Sequence, residues 1–534
     1  MNTSRAHELE SPLHLYQAAR YQSADGKWHD KFDSAVEALP AECHVLTSSI
    51  LSLLCFSQVC GNATLLREIV RQPWLSSINP DGTVKLSEIP PHGFLAPSVD
   101  TIGKELLSRL EAEAERVCSR FSRVYLLLSG GLDSRIIAGV TAKLHRKGIL
   151  KEAPVAVTWG FADSRDAHYA RKIAEHYNFE WINIPFGPKE VEVNISETAL
   201  HLGALHSPEM LHYMTWFERI EPDALVLAGS FGDSIGRAEF SGRHLLELNE
   251  FKPSDPFSLL KPEVRGASIQ GVKRAIAELG ERAPGAPRHA KLEHYMQGYR
   301  MRGNLCHALG LINRYATIYQ MFTDPSVYGY MWSLHPSSRT DEVYASLLEE
   351  LDPFLARLPW ARNNKAVRGK TAGAEQRLLA AYHDYTGWSA GPLRSHLEKL
   401  VDPEWFEAQG VFNPDALVAM RNTVATSTTR VGRINDVWLW LAGFRVMVDH
   451  LEQTGRKISY EIPEPMDGKG QIKDESRSLK VTVLSPLLRT AQRSAPLTAF
   501  LKECRTRFRH LKRLRLRAQA LKEFPPTMGS HDAS

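Results

Sequence analysis

The chain has 534 residues, of which 43% are hydrophobic and 24% charged, with a formal net charge of +4. This is the composition of a globular protein with room for two or more domains. The near-balanced charge names no partner, and no run reaches the roughly 18 apolar residues of a membrane span.

The opening "MNTSRAHELES" lacks the basic-then-apolar order of a signal peptide, so none is expected. The cysteines are Cys43, Cys55, Cys60, Cys118, Cys306 and Cys504, without CxxC spacing. They read as reduced core thiols of a cytoplasmic protein, with neither a disulfide framework nor a zinc site. "VLTSSILSLLCFSQVC", residues 45–60, is uncharged but rich in serine, and reads as a buried helix.

From residue 123 the pattern changes. "RVYLLLSGG" predicts a strand broken by glycine, and "LDSRIIAGVTAKLHRKG" a helix ending at Gly148. "APVAVTWGF" (153–161) predicts a second strand, followed by a helix capped by Asp163 or Ser164. "EWINIPF" and "PDALVLAG" (222–229) predict a third and fourth strand. Alternating strands and helices predict a parallel sheet with helices on both faces. "INRYATIYQMFTDPSVYGYMWSLHPSSR" (312–339) reads as helical with a break at Asp324-Pro325. "YEIPEPMDGKGQIKDESRS" (460–478) reads as a linker or exposed loop. The division is therefore 1–110, 111–460 and a C-terminal part, 461–534. In that last part "RTRFRHLKRLRLR" (505–517) is dense in Lys and Arg and holds no acid. Phe500, Leu501, Cys504, Phe508, Leu511, Leu514 and Leu521 recur at helical steps around it, predicting an amphipathic helix with a basic face. That face suits packing on its own domain, a partner protein, nucleic acid or an anionic membrane surface.

In parallel sheets ligands sit beyond the carboxyl ends of the strands, and Ser129 to Ser134 lies at such an end. Glycines there admit a ligand close to backbone N–H groups, and the following helix aims its positive end at the same place. This suits phosphate. The lysine of a GxxxxGK[ST] loop is missing. Asp133 would repel phosphate unless a cation intervened, which implies Mg²⁺.

"LLSGGLDSR" resembles the PP-loop of ATP pyrophosphatases, in the form carried by the synthetase domain of the asparagine synthetase family, with the β-lactam synthetases and lasso-peptide cyclases. "LVLAGSFGDSIG" (225–236) is similar to that family's second loop, G-x-G-x-D-E, with Asp233 at the metal-binding aspartate and Ser234 where the family has glutamate. The resemblance implies a five-stranded parallel PP-loop sheet with a largely helical C-terminal part. It also implies ATP held by Leu128, Ser129, Gly130, Gly131, Asp133, Ser134, Gly229 and Gly232, with Val157 in the strand whose backbone reads adenine. Mg²⁺ would lie on Asp133 and Asp233. "LPWARNNKAVRGK" (358–370) is similar to the segment with the family's catalytic lysine, making Lys365 and Lys370 candidates and Arg362 and Arg368 lesser ones. Asp324 matches the last Asp of V-E-A-R-x-P-F-L-D, whose glutamate falls near Thr317. Tyr315 and Tyr319 are candidate substitutes for that glutamate, as a tyrosine is in β-lactam synthetases.

Residues 49–86 resemble the end of the family's amidotransferase half, but Asn2 replaces its nucleophilic cysteine and the segment is too short for a whole domain. The expectation is an ATP-dependent ligase that joins a small-molecule or peptide carboxylate to ammonia or an amine without glutaminase activity. The alternatives are a weakened nucleotide-binding scaffold and a PP-loop enzyme acting on RNA.

Overall fold

The computed structural model describes residues 2–237, 253–368, 377–427 and 430–464. Lys370, Cys504 and the basic segment 505–517 lie outside them.

The centre is a five-stranded sheet: β1 (Val124–Leu127), β2 (Val155–Trp159), β3 (Glu180–Ile184), β4 (Leu225–Ala228) and β5 (Thr317–Gln320), in the spatial order β5-β4-β1-β2-β3. Every neighbouring pair is parallel. The chain first winds outward from β1 through β2 to β3, then returns to lay β4 on the other side of β1. The order reverses at the β1–β4 boundary, where a crevice opens beyond the strand ends.

Both sheet faces are covered, so the central strands β1 and β4 are apolar throughout rather than alternating. Val124 and Leu126 face a large core that runs from Leu9 to Leu451. Tyr125, Val155, Val226 and Ile318 face a smaller one, closed by the short helical turns Met214–Arg219 and Gly310–Arg314.

Helix α1 (Val99–Cys118) precedes the sheet and runs across residue 110. Helix α2 (Leu132–Arg146) follows β1, and α3 (Arg165–Tyr177) follows β2. Ser164 is the N-cap of α3, its side chain accepting from Ala167 N. The short α4 (Gly232–Ile235) follows β4, and α5 (Pro262–Glu281) lies beyond it. A π-helical segment, α6 (Met296–Cys306), leads back toward the sheet.

Two expectations are corrected. Residues 317–320 are not helical: "TIYQ" is the edge strand β5, fully buried, and the helix begins at Pro325 with Asp324 as its cap. Short apolar runs do not reveal their period, and β-branched and aromatic residues favour the pleated form. The segment from 460 is not a loop at its start. Tyr460 and Glu461 end a strand, Lys457–Glu461, paired in parallel with Glu42–Leu46. The N-terminal piece is thereby fastened to the far end of the described chain. The predicted buried helix in 45–60 is present as Thr47–Phe56. Among the described residues all cysteines are free thiols. No described helix is long and apolar enough to cross a membrane.

Candidate active site

A cavity of about 340 Å³ opens at the β1–β4 boundary. Ser129, Gly131, Asp133 and Ser134 line it from the β1 side, Gly229, Ser230 and Asp233 from the β4 side. Leu127, Leu128, Thr158 and Trp159 form its wall at the strand ends, and Leu305 and Leu309 close the opposite side.

The β1 loop is held by its own side chains. Ser129 N donates to Ser134 Oγ (3.2 Å) and Gly131 N to Ser129 Oγ (3.1 Å). Gly130 N donates to Asp166 Oδ1 on α3 (3.1 Å). Two serine hydroxyls and a carboxylate thus accept from the N–H groups of Ser129, Gly131 and Gly130. Burial pushes the Asp166 carboxyl up, although Gly130 N–H and Arg135 pull it down.

Arg135 sets the loop from beneath. It is fully buried and donates to Gly131 O (3.1 Å), Gly130 O (2.8 Å), Leu355 O (2.9 Å), Leu358 O (2.9 Å) and Pro359 O (3.2 Å). This ties residues 355–361 to the loop. Ala361 N donates to Gly130 O (3.1 Å), and a Cβ on Gly130 would stand 2.6 Å from that of Ala361. Nothing larger than glycine fits there.

The two loops touch directly. A Cβ on Gly232 would come within 2.5 Å of Asp133 Oδ1. Tyr344 OH donates to Gly232 O (2.7 Å). Arg237 Nη2 stands 3.5 Å from Asp133 Oδ2, and its Nη1 3.1 Å from Asp341 Oδ1. Its guanidinium lies against the rings of Tyr344 (5.3 Å) and Trp360 (5.2 Å). Burial lowers the Arg237 pKa, but Asp133, Tyr344, Asp341 and Asp233 together raise it above its ordinary value. A cation is therefore built in beside the two aspartates. The two carboxylates lining one cavity fit a hard divalent cation such as Mg²⁺, whose preferred ligands are oxygens.

The far end is aromatic. Trp159 stacks on His212 (5.2 Å between centroids, 28°), and Tyr382 meets His212 edge-on (5.6 Å, 62°). Burial, with His383 nearby, pushes the His212 pKa down to about 4, so the ring is neutral. These rings offer a flat apolar surface to the cavity. Val157 does not line it: its carbonyl accepts from Leu128 N (2.9 Å), while Thr158 Oγ1 donates to Leu128 O (2.7 Å). Asp166, His212 and Tyr382 were not foreseen. Each is brought in by chain distant from the glycine motif.

The remaining candidates lie elsewhere. Lys365 is exposed, at a turn where Trp360 N donates to Lys365 O (2.9 Å), next to the loop through Ala361. Arg362 lies over the Trp360 ring (5.4 Å). Tyr315 packs against the smaller core. Tyr319 is almost wholly buried in a separate network. Its hydroxyl donates to Glu113 and meets His14 Nε2 (2.8 Å), while Arg116 donates to it (3.0 Å). Asp324 Oδ2 lies 3.3 Å from His14 Nε2. His14, Glu113 and Asp324 are close enough to share an ion, but Arg116, 2.7 Å from Glu113, already supplies the positive charge. Neither tyrosine lines the cavity.

Residues 105–281 match the family described as asparagine synthase. The chain carries an asparagine synthase domain. That domain belongs to ATP-dependent ligases that form amide bonds, and the matched segment contains both loops of the cavity. A comparison with curated proteins finds no match.

Proposed function

We propose that this asparagine synthase-domain protein activates a carboxylate as an acyl-adenylate and transfers the acyl group to ammonia or an amine. The observation that carries the reading is the meeting of the β1 and β4 loops, with Asp133 and Asp233 on one cavity.

In the first step a carboxylate oxygen attacks the α-phosphorus of ATP, and the bond to pyrophosphate breaks. In the second the amine nitrogen attacks the acyl carbon and AMP leaves. The N–H groups of Ser129 to Gly131 and the positive end of α2 orient the phosphates. The rings of Trp159, His212 and Tyr382 give the base a surface to stack on. Asp133 and Asp233 would hold Mg²⁺, which when bound neutralises the departing pyrophosphate. Lys365 and Lys370 remain the candidates for neutralising charge as it develops. The chain's N-terminal piece is read as the eroded end of an amidotransferase half. The chain works in the cytoplasm, with its thiols reduced.

The test is ATP–pyrophosphate exchange and pyrophosphate release over amino acids, uronic acids and peptides. Asp133→Asn is expected to lose nearly all turnover, by about 10³-fold, with an unchanged melting curve. Glutamine is expected to yield no glutamate. Full turnover in Asp133→Asn overturns the assignment.

A second reading, a nucleotide-holding scaffold, is favoured by one observation. Ser234, at the position of the family's glutamate, is fully buried and receives a hydrogen bond from Gln297. Nucleotide binding without pyrophosphate release from any substrate would select it.

A further inference from the structure

A second cavity, of about 400 Å³, lies between the N-terminal piece and the helices beyond the sheet. Asn62, Trp74 and Leu86 line it from one side, Leu279 and Arg282 from the end of α5, and Tyr299 and Arg302 from α6.

Arg302 and Arg282 line it, and Arg71 stands close enough to Arg302 to lower its pKa. Buried Arg339 is paired with Glu293 at 2.7 Å, Arg237 with two aspartates, and Arg116 with Glu113. Arg135 has no such pair but spends its donors on five carbonyls. Arg302 is 8% exposed and makes one hydrogen bond among the described residues, to Gln72 O (2.6 Å). Arg71, 5% exposed, gives one nitrogen to Val59 O and Gly61 O, both at 3.2 Å, and its buried Nε has no partner. Arg282 donates to the carbonyls of Trp74, Leu75 and Ser87. None of the three has a carboxylate within 4.0 Å among the described residues.

A buried charge without a counter-charge is costly. Here burial, with Arg71 and Arg282 adding to it, pushes the Arg302 pKa down to about 9. The nearby acid Glu10 does not balance it, because burial pushes its carboxyl up to about 8. Glu278 and Glu281 line the cavity but are exposed, at its rim.

The other walls are apolar. Trp74 Nε1 is committed to Leu15 O (2.9 Å) and Tyr299 OH to Ala275 O (2.6 Å), so both offer ring surface. Leu86, 52% exposed, stands at the opening.

We infer that this cavity binds a small organic anion, its carboxylate or phosphate on Arg302 and Arg282 and its apolar body against Trp74, Leu279 and Tyr299. The helix carrying Tyr299 and Arg302 also carries Leu305, a wall of the ATP cavity. This inference does not depend on the proposed reaction.

Benzoate and phenyl phosphate serve as probes, against sodium chloride at equal ionic strength. With the wild-type protein at a hundredfold excess over Kd, one of them is expected to raise the melting temperature by about 3–6 °C. The probe that does so separates carboxylate from phosphate. Arg302→Gln is expected to lose that rise, and without anion to melt no lower than wild type, since an uncompensated charge is gone. Should that variant fail to fold, phenylglyoxal labelling of the wild type decides: Arg302 is protected at least fivefold by the active probe. No rise with either probe, no protection, or a rise kept in Arg302→Gln, which would place the anion in the ATP cavity, overturns the inference.

Discussion

Asp166 Oδ1 accepts from Gly130 N at 3.1 Å. A nucleotide phosphate seated on this loop, as proposed, would compete with Asp166 for that N–H and meet its negative charge. Asp166→Asn keeps an acceptor for Gly130 and removes the charge. We expect the Kd for ATP to fall about threefold, read by calorimetry; a weaker Kd would show that the carboxylate helps to bind nucleotide. At this scale the sequence was informative wherever a residue's task is local. Glycines, serines and an aspartate between strand and helix have few other uses, and Ser129, Gly131, Asp133 and Ser134 lie on the cavity wall. His212 and Tyr382 were illegible, because no local pattern distinguishes an aromatic ring that stacks in a site from one in a core. Arg135 sat inside the quoted motif, yet its five carbonyl partners span residues 130 to 359 and leave no trace at its own position.

The loop after β1, α2 and the segment 355–361 act as one element through that guanidinium. Lysine has no planar fork and fewer donors, so Arg135→Lys strands several buried carbonyls. The expected loss is about 2–4 kcal/mol in denaturant unfolding, with weaker ATP binding because Gly130 is no longer fixed. A full loss of binding with unchanged stability would contradict this. The first four strands were legible because each is an apolar or β-branched run ended by a Gly or Pro breaker, and the helices after the first two because their apolar residues recur at helical spacing. The fifth was not, since "TIYQ" is four residues long, buried on both sides, and reached after a long excursion from β4. Position in a sheet edge is decided by what β4 leaves open, which is tertiary information.

Across the whole molecule, burial keeps several histidines neutral. The pKa is pushed down to about 4 for His14, His212 and His289, and to about 3 for His206 and His294, in each case chiefly by desolvation. An unfolded histidine titrates near ~6.5, so between that pH and about 4 the unfolded chain binds more protons. Stability therefore falls as pH drops through that window, each histidine contributing up to about 1.4 kcal/mol per pH unit. Glu293 adds a lower step. Burial raises its carboxyl, but Arg339 and His92 overcome this and hold it well below the usual range, so its contribution is lost only below ~4.3. Denaturant midpoints measured from pH 7.5 to 4.5 check this: a flat profile would refute it, and His294→Gln should make the profile shallower.

The strand pair Glu42–Leu46 with Lys457–Glu461 joins residues about 415 positions apart, and this has a consequence for birth rather than for the finished molecule. A chain made at about 5–20 residues per second leaves the first strand waiting roughly 20–80 seconds for its mate to leave the ribosome. During that interval its edge is open to protease or chaperone, however much of the central sheet has formed. Nascent chains arrested before residue 457 are expected to be cut within 36–46 by a short protease pulse, and chains released after residue 464 to resist. Equal resistance in both would mean that the early strand finds shelter without its late partner.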